Sequence, residues 1–462
     1  MIFSQLLQRS LSFSNASASA SKRRYASAFL TTGIHIKSNR HHFSTSALTA
    51  ARGNRARPSY LNKESSLDEL NPVVDDFPDM KHRKSTPELV RRFQQENPQL
   101  QQLLDNSDRL TQDDNSPTPS SAAQPEQPFH RERDQAKKVP RPKIDSKRTS
   151  VILFPGQGSQ FVGMGAKLLE YPNVREIYDV AGEILGYNLL NMCLNGPVEE
   201  LNKTVFCQTA IFVTSVAALE KLKADHPGAV ESCIAAAGFS VGEYAALVFA
   251  GSLSFESGVK LVKARAEAMQ AASEAVSSGM LSVMVDHNSE LNKAMELARL
   301  WCIDKKKIAD PVCKIANYLF PEVKVVAGNT EALDFLEANA ALFRIKPMKR
   351  LAVSGAFHTP LMRDAREEFA GHVSRVNFKQ PTIKIHSNVS GSAYHGVHSI
   401  PKILIRQVDS PVKWEQTLHI LYERPQGSDF PRTYEVGPGR QLGAILKRNN
   451  AKAHAAYTAI DV

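Results

Sequence analysis

At 462 residues the chain has room for two or three compact units, or for one large domain with appendages. Its formal charge of +10 does not indicate nucleic-acid binding. Ten Lys or Arg and no acid lie in residues 1–63, and removing them leaves 47 basic against 47 acidic residues. Five cysteines, with no C-x-x-C pair, suggest neither a disulfide framework nor a thiolate metal site, so no metal is expected.

Residues 1–63 are Arg- and Ser-rich, and Gln5 to Phe13 can place apolar groups on one side of a short helix. This is the composition of a mitochondrial transit peptide, so a mitochondrial location is expected. No run reaches the ~18 consecutive apolar residues of a membrane span, and a soluble mature protein is expected. Residues 64–148 are polar and punctuated by Pro and Gln, too poor in apolar groups to offset chain entropy, and read as a disordered linker. Within them Thr86-Pro87 opens an apolar spacing that predicts a short helix over 86–93.

The character changes at Thr149, and residues 149–462 carry alternating strand and helix signals. Apolar β-type runs fall at 149–154, 233–237, 281–285, 324–326, 382–386 and 433–436, with long helical patterns at 209–225 and 255–275. The alternation predicts an α/β domain with a mainly parallel sheet. Cys233, inside an apolar run, is expected to be a buried thiol.

The most informative segment is Gly238-Phe239-Ser240-Val241-Gly242, set between a small-residue strand and a helix-compatible run. G-x-S-x-G in that context is the pattern of a nucleophile elbow, in which both glycines remove side chains where strand and helix nearly touch. Ser240 is then expected to be exposed at the turn, beside the partial positive charge of a helix N-terminus. The bland alternative is a tight turn whose serine only caps the helix. A second glycine-rich turn, Pro155-Gly156-Gln157-Gly158, follows the first strand. It fails the dinucleotide fingerprint, because Phe161 stands where Gly is needed, and no G-K-[ST] follows for a phosphate loop. Such a loop can still aim N–H groups at an oxygen, so the main-chain donors of Gln157 and Val241 are the expected oxyanion hole.

Taken together, FPGQGSQ (154–160), LNKT followed by Gln208-Thr209-Ala210, GFSVGEYAALVFAG, VSGAFHTPLM, IRQ followed by SPVKW, and EVGPG stand in a fixed order over 151–448. In this the chain resembles the malonyl-CoA:acyl carrier protein transacylases. The resemblance implies a large α/β-hydrolase-like subdomain with a parallel sheet, and a small ferredoxin-like subdomain inserted at about 279–351. The site would lie in the cleft between them. It implies Ser240 as the acyl-accepting nucleophile and His358 as its base, oriented by the main-chain carbonyl of Gln407. Arg265 would bind the malonyl carboxylate, and Gln157 and Gln208 would line the pocket. Bacterial members usually carry His before the nucleophile, where this chain has Phe239, a pocket-wall residue. Phe357, before the base, matches malonyl-selective relatives.

The implied reaction moves a malonyl group from malonyl-CoA to the phosphopantetheine thiol of an acyl carrier protein, in the mitochondrial matrix, for fatty acid synthesis. Beyond these substrates and partners no cofactor is expected; neither is a nucleic-acid partner, and a monomer is the expected state. The residues alone leave other readings open. The helical run holding Arg265 also bears Lys260, Lys263 and Glu267, which by itself describes a solvated basic face. The basic run Arg344 to Arg350 is a candidate docking patch for an acidic carrier protein or, more simply, a charged strand edge. The lysine-rich stretch 300–307 is expected to decorate the smaller subdomain. A serine hydrolase or thioesterase, and an acyl-CoA-binding scaffold without chemistry, remain the competing functions.

Overall fold

Strand β1 (Ser150–Phe154) has all five residues buried. A strand buried on both faces belongs at the centre of a helix-covered sheet, where each large apolar side chain contributes about 1.5–3 kcal/mol. The structure, a computed structural model, describes residues 145–462, so the leader, the linker and the 86–93 helix lie outside the described residues.

Beside β1 run β2 (Cys233–Gly238) and β9 (Arg432–Val436), with β7 (Lys384–His386) and β10 (Tyr457–Ile460) at the edges, in the order β10-β9-β1-β2-β7. Every pairing in this sheet is parallel. The helix Thr204–Asp225 has buried residues on every side and packs closely on the helix Phe255–Ala275. By length and composition Thr204–Asp225 could cross a membrane, which a count of consecutive apolar residues overlooks because Thr, Ser and Gln interrupt it. Within the fold 83% of its most apolar window is buried, as in the core helix of a globular domain.

A second sheet comes from β3 (Ser278–Met284), β4 (Cys313–Phe320), β5 (Val323–Asn329) and β6 (Lys346–Arg350), in the order β6-β3-β5-β4, all antiparallel. With the helices Leu291–Lys306 and Thr330–Asn339 between strands, this is the βαββαβ order of a ferredoxin-like unit. The lysine-rich stretch expected to decorate it ends the first of these helices, where Trp301 and Cys302 pack into the small core. The two-residue strand β8 (Val412–Lys413), outside the unit, pairs parallel to β4 and joins the subdomains. The half-buried Lys324–Glu415 pair spans the same joint.

Strands β4, β6 and β10 carry no clear apolar run. In β6 Lys346 and Lys349 are exposed while the other residues are half-buried, and Pro347 removes a donor, which suits the edge position it takes. The basic run at 344–350 is therefore largely a charged edge, with Arg350 paired to Asp334 and Glu337.

The tightest constraint lies between β2 and the helix Gly242–Phe249. A Cβ built on Gly238 would meet the Gly242 carbonyl carbon at 1.9 Å, and one on Gly242 would meet the Phe154 oxygen at 2.3 Å. No flexible side chain can yield there, because the obstacles are backbone. Gly238→Ala is expected to lower unfolding stability by at least about 3 kcal/mol, the upper range for overpacking, as read by urea denaturation. An unchanged midpoint would mean that strand and helix are not locked together.

Candidate active site

The turn from β2 into the helix Gly242–Phe249 places Ser240 with φ of 51°, a left-handed conformation costing of order 1–3 kcal/mol for a non-glycine residue. Neighbours hold it there. The Ser240 N–H donates to Asn388 Oδ1 at 2.6 Å, and Asn388 Nδ2 donates to the Gly238 carbonyl at 2.7 Å, so one side chain staples both sides of the turn. The Ser240 carbonyl accepts from Gln407 Nε2 at 2.9 Å. Contrary to the expectation of an exposed serine, Ser240 is only 7% accessible, because Arg265 and His358 close over the turn.

His358 is reached across 118 residues, and its Nε2 lies 2.9 Å from Ser240 Oγ. It too has positive φ, 60°. Its Nδ1 lies 2.8 Å from the Gln407 main-chain oxygen, which can only accept. Nδ1 therefore carries the proton, leaving the Nε2 lone pair for the serine hydroxyl. Burial, and then the Arg265 charge, push His358 down to about 3, so the imidazole is neutral and ready to accept a proton.

Arg265 is fully buried, which overturns the solvated basic face that its own helix suggests. That helix packs its inner side on Thr204–Asp225, and Arg265 is on that side. Its Nη1 donates to Gln208 Oε1 at 2.5 Å, and its Nη2 to Ser240 Oγ and Gln407 Oε1, each at 3.0 Å. The guanidinium sits 5.6 Å from the Tyr244 ring centroid. Among the described residues no carboxylate lies within ion-pair distance of it. Burial lowers its pKa, the mark of a cation short of counter-charge.

Gln208 Nε2 donates to Gln157 Oε1 at 3.3 Å, which brings the first glycine-rich turn to the site. A Cβ on Gly156 would strike the Phe239 oxygen at 2.4 Å, so that turn lies flush against the turn that carries Ser240. Among the described residues, the main-chain N–H groups of Gln157 and Val241 donate to no protein acceptor.

Beside these groups a cavity of about 450 Å³ opens between the two subdomains. Its wall is mainly apolar, from Phe239, Phe320, Val325 and Leu442, with Lys349 and Arg448 also lining it. Phe239 stacks edge-on against Trp414 at 5.4 Å. Phe357 is buried and forms no part of that wall.

The residue-by-residue reading missed Glu243 and Asn388. Glu243 is buried and accepts from Tyr394 Oη, from Gln407 Nε2 at 2.7 Å and from the Asn388 N–H at 3.2 Å. Burial pushes its carboxyl up to about 7 against the pull of those donors and of Arg265. Glu243 adjoins G-x-S-x-G, and Asn388 follows strand β7 at the carboxyl edge of a parallel sheet, where ligand sites collect. Position alone could have flagged both.

The family model described as an acyl transferase domain matches residues 151–427. The human malonyl-CoA-acyl carrier protein transacylase, mitochondrial, is 54% identical over 313 residues, 68% of this chain and 80% of that one. The chain belongs to this family of transacylases. The probable Drosophila melanogaster counterpart, also named mitochondrial, is 52% identical over 68% of this chain and 82% of its own length. Among solved structures, the malonyl CoA-acyl carrier protein transacylase of Coxiella burnetii aligns with a TM-score of 0.61 at 30% identity, covering 69% of this chain and 95% of that one. A malonyl-transacylase solved in complex with its type II PKS acyl-carrier protein aligns at 0.57 and 31% identity, over 67% and 94% of the two chains.

A depressed histidine pKa has a kinetic consequence. The Ser240 acylation rate from acetyl-CoA, a donor with no carboxylate to engage Arg265, is expected to stay level from pH 8 down to pH 6. Loss of half the rate near 6.5, the ordinary imidazole value, would show that His358 titrates as if exposed.

Proposed function

We propose that this protein transfers a malonyl group from malonyl-CoA to the phosphopantetheine thiol of an acyl carrier protein, through a malonyl ester on Ser240. The observation that carries the reading is the wholly buried Arg265 guanidinium, 3.0 Å from a serine oxygen that is itself 2.9 Å from His358 Nε2. A cation beside the nucleophile suits an acyl group that ends in a carboxylate, and planar guanidinium can meet it with two parallel hydrogen bonds.

In the first half-reaction His358 Nε2 takes the Ser240 proton while Oγ attacks the thioester carbonyl. The oxyanion is held by the Gln157 and Val241 N–H groups, the C–S bond breaks, and His358 returns the proton to the departing thiolate. In the second half the carrier thiol gives its proton to His358 and attacks the serine ester. The C–O bond breaks and the proton returns to Ser240. Every atom balances between two thiols, one serine and one histidine, so the reaction calls for no cofactor.

The thioesterase alternative is disfavoured by the burial of Ser240, since an acyl-enzyme must be shielded from water to await a thiol. The reaction belongs in the mitochondrion, where it supplies fatty acid synthesis; we place it in the matrix, catalysed by a single chain whose residues 1–63 serve as the leader. Lys349 and Arg448, both exposed on the cavity wall, suit an acidic carrier, and Arg448 is held over the Phe320 ring at 5.6 Å.

Intact mass after exposure to malonyl-CoA tests the reading: one malonyl increment is expected on the wild type and none on Ser240→Ala. Arg265→Ala should slow malonyl loading at least about 30-fold, the equivalent of losing a buried charge pair, while acetyl loading changes far less. Equal losses with both thioesters would remove Arg265 as the carboxylate anchor. Lys349→Glu should raise KM for carrier protein severalfold and leave KM for malonyl-CoA alone; unchanged carrier kinetics would exclude Lys349 from docking.

A further inference from the structure

Gln407 is the junction of the site. Its main-chain oxygen holds His358 Nδ1, while its side-chain amide joins three other groups: Oε1 accepts from Arg265 Nη2 at 3.0 Å, and Nε2 donates to the Ser240 carbonyl at 2.9 Å and to Glu243 Oε2 at 2.7 Å. A primary amide can turn over and exchange its oxygen and nitrogen with almost no change of shape. Turned over here, Oε1 would face the Ser240 carbonyl and the Glu243 carboxylate, both acceptors. The NH2 group would face a guanidinium that can only donate. Arg265 would then lose the acceptor that aims its Nη2 at the nucleophile.

We propose that Glu243 is a positioning residue for malonyl selectivity, fixing the Gln407 amide with its oxygen toward Arg265. This role rests on the reading of Ser240 as nucleophile and Arg265 as carboxylate anchor. Glu243 has the attributes the task needs. It is fully buried, so water cannot substitute for it as an acceptor. All its protein partners are donors: Tyr394 Oη on one oxygen, and the Asn388 N–H and Gln407 Nε2 on the other. It is fixed in space as well, since the Asn388 that donates to it also staples the nucleophile turn. Its carboxylate makes no hydrogen bond to Ser240 Oγ or to the His358 ring; its hydrogen-bonded link to Arg265 Nη2 runs through the Gln407 side chain, whereas its contact with Asn388 supports the nucleophile turn for both thioesters alike.

Glu243→Gln keeps the shape of the side chain and gives Gln407 a neighbour that can offer either oxygen or nitrogen, so the Gln407 amide is no longer held one way. Rates of Ser240 acylation by malonyl-CoA and by acetyl-CoA, followed by intact mass, give a selectivity ratio. The ratio is expected to fall about tenfold in Glu243→Gln, mostly through a raised KM for malonyl-CoA. Gln407→Met keeps the main-chain carbonyl that holds His358; it should lower the ratio as well, and adding Glu243→Gln to it should lower the ratio no further. A wild-type ratio in Glu243→Gln, equal slowing with both thioesters, or losses that multiply in the double variant would each overturn the role. Should Glu243→Gln fail to fold, Glu243→Asp, which withdraws the carboxylate from Gln407 by one methylene, takes its place with the same expectation and the same refutations. If wild-type Ser240 takes no malonyl group, the reading of the site falls first; if it does and the ratio does not move, only the part given to Glu243 falls.

Discussion

The near-collision of strand β2 with the helix that follows it governs this molecule. With only hydrogen on the facing α-carbons of Gly238 and Gly242, the chain reverses in so few atoms that Ser240 must take a left-handed backbone conformation. That conformation is unfavourable for serine, and it persists because Asn388 and Gln407 bind the main chain on both sides of the turn. His358 also has positive φ, so Ser240 and His358 both sit in backbone conformations that only surrounding structure sustains.

Around that turn the protein has enclosed a positive charge that, among the described residues, has no carboxylate within ion-pair distance. Removing a guanidinium from water is costly, and here the cost is offset by side-chain oxygens of Gln208, Gln407 and Ser240 and by the face of Tyr244. These partners are neutral, so the charge itself is not cancelled. The same field acts on His358: with burial, it disfavours imidazolium in the resting site. Negative charge at Ser240 Oγ would offset that penalty, so an environment that opposes imidazolium at rest would tolerate it beside an oxyanion.

The second subdomain gives this chemistry a sheltered approach. Strand β8, the Lys324–Glu415 pair and the Phe239–Trp414 contact join the two sheets at the place where the cavity opens. Phe239, immediately before Ser240, thus belongs both to the turn and to the wall of the cleft. Its aromatic bulk contributes packing at that joint, a role that a hydrogen-bonding residue in the same position would fill less well.

Much of this was legible in the sequence, and the reason is local. Strands β1, β2 and β9 and the helix Phe255–Ala275 announce themselves by apolar runs and periodicity, and the elbow by two glycines flanking a serine, because those demands are met within a few residues. Strand β6 did not, since an edge strand can be charged and can carry Pro347 without losing its place. The burial of Arg265 was invisible because its neighbours in sequence, Lys260, Lys263 and Glu267, describe the outer side of a helix. Only packing against Thr204–Asp225 decides that this one cation faces inward. The sequence by itself determined the turn that presents Ser240; the tertiary structure decided which distant groups meet it, because the hydrogen bonds linking Ser240, Arg265, His358, Glu243 and Gln407 span separations of up to 167 residues that no local pattern encodes.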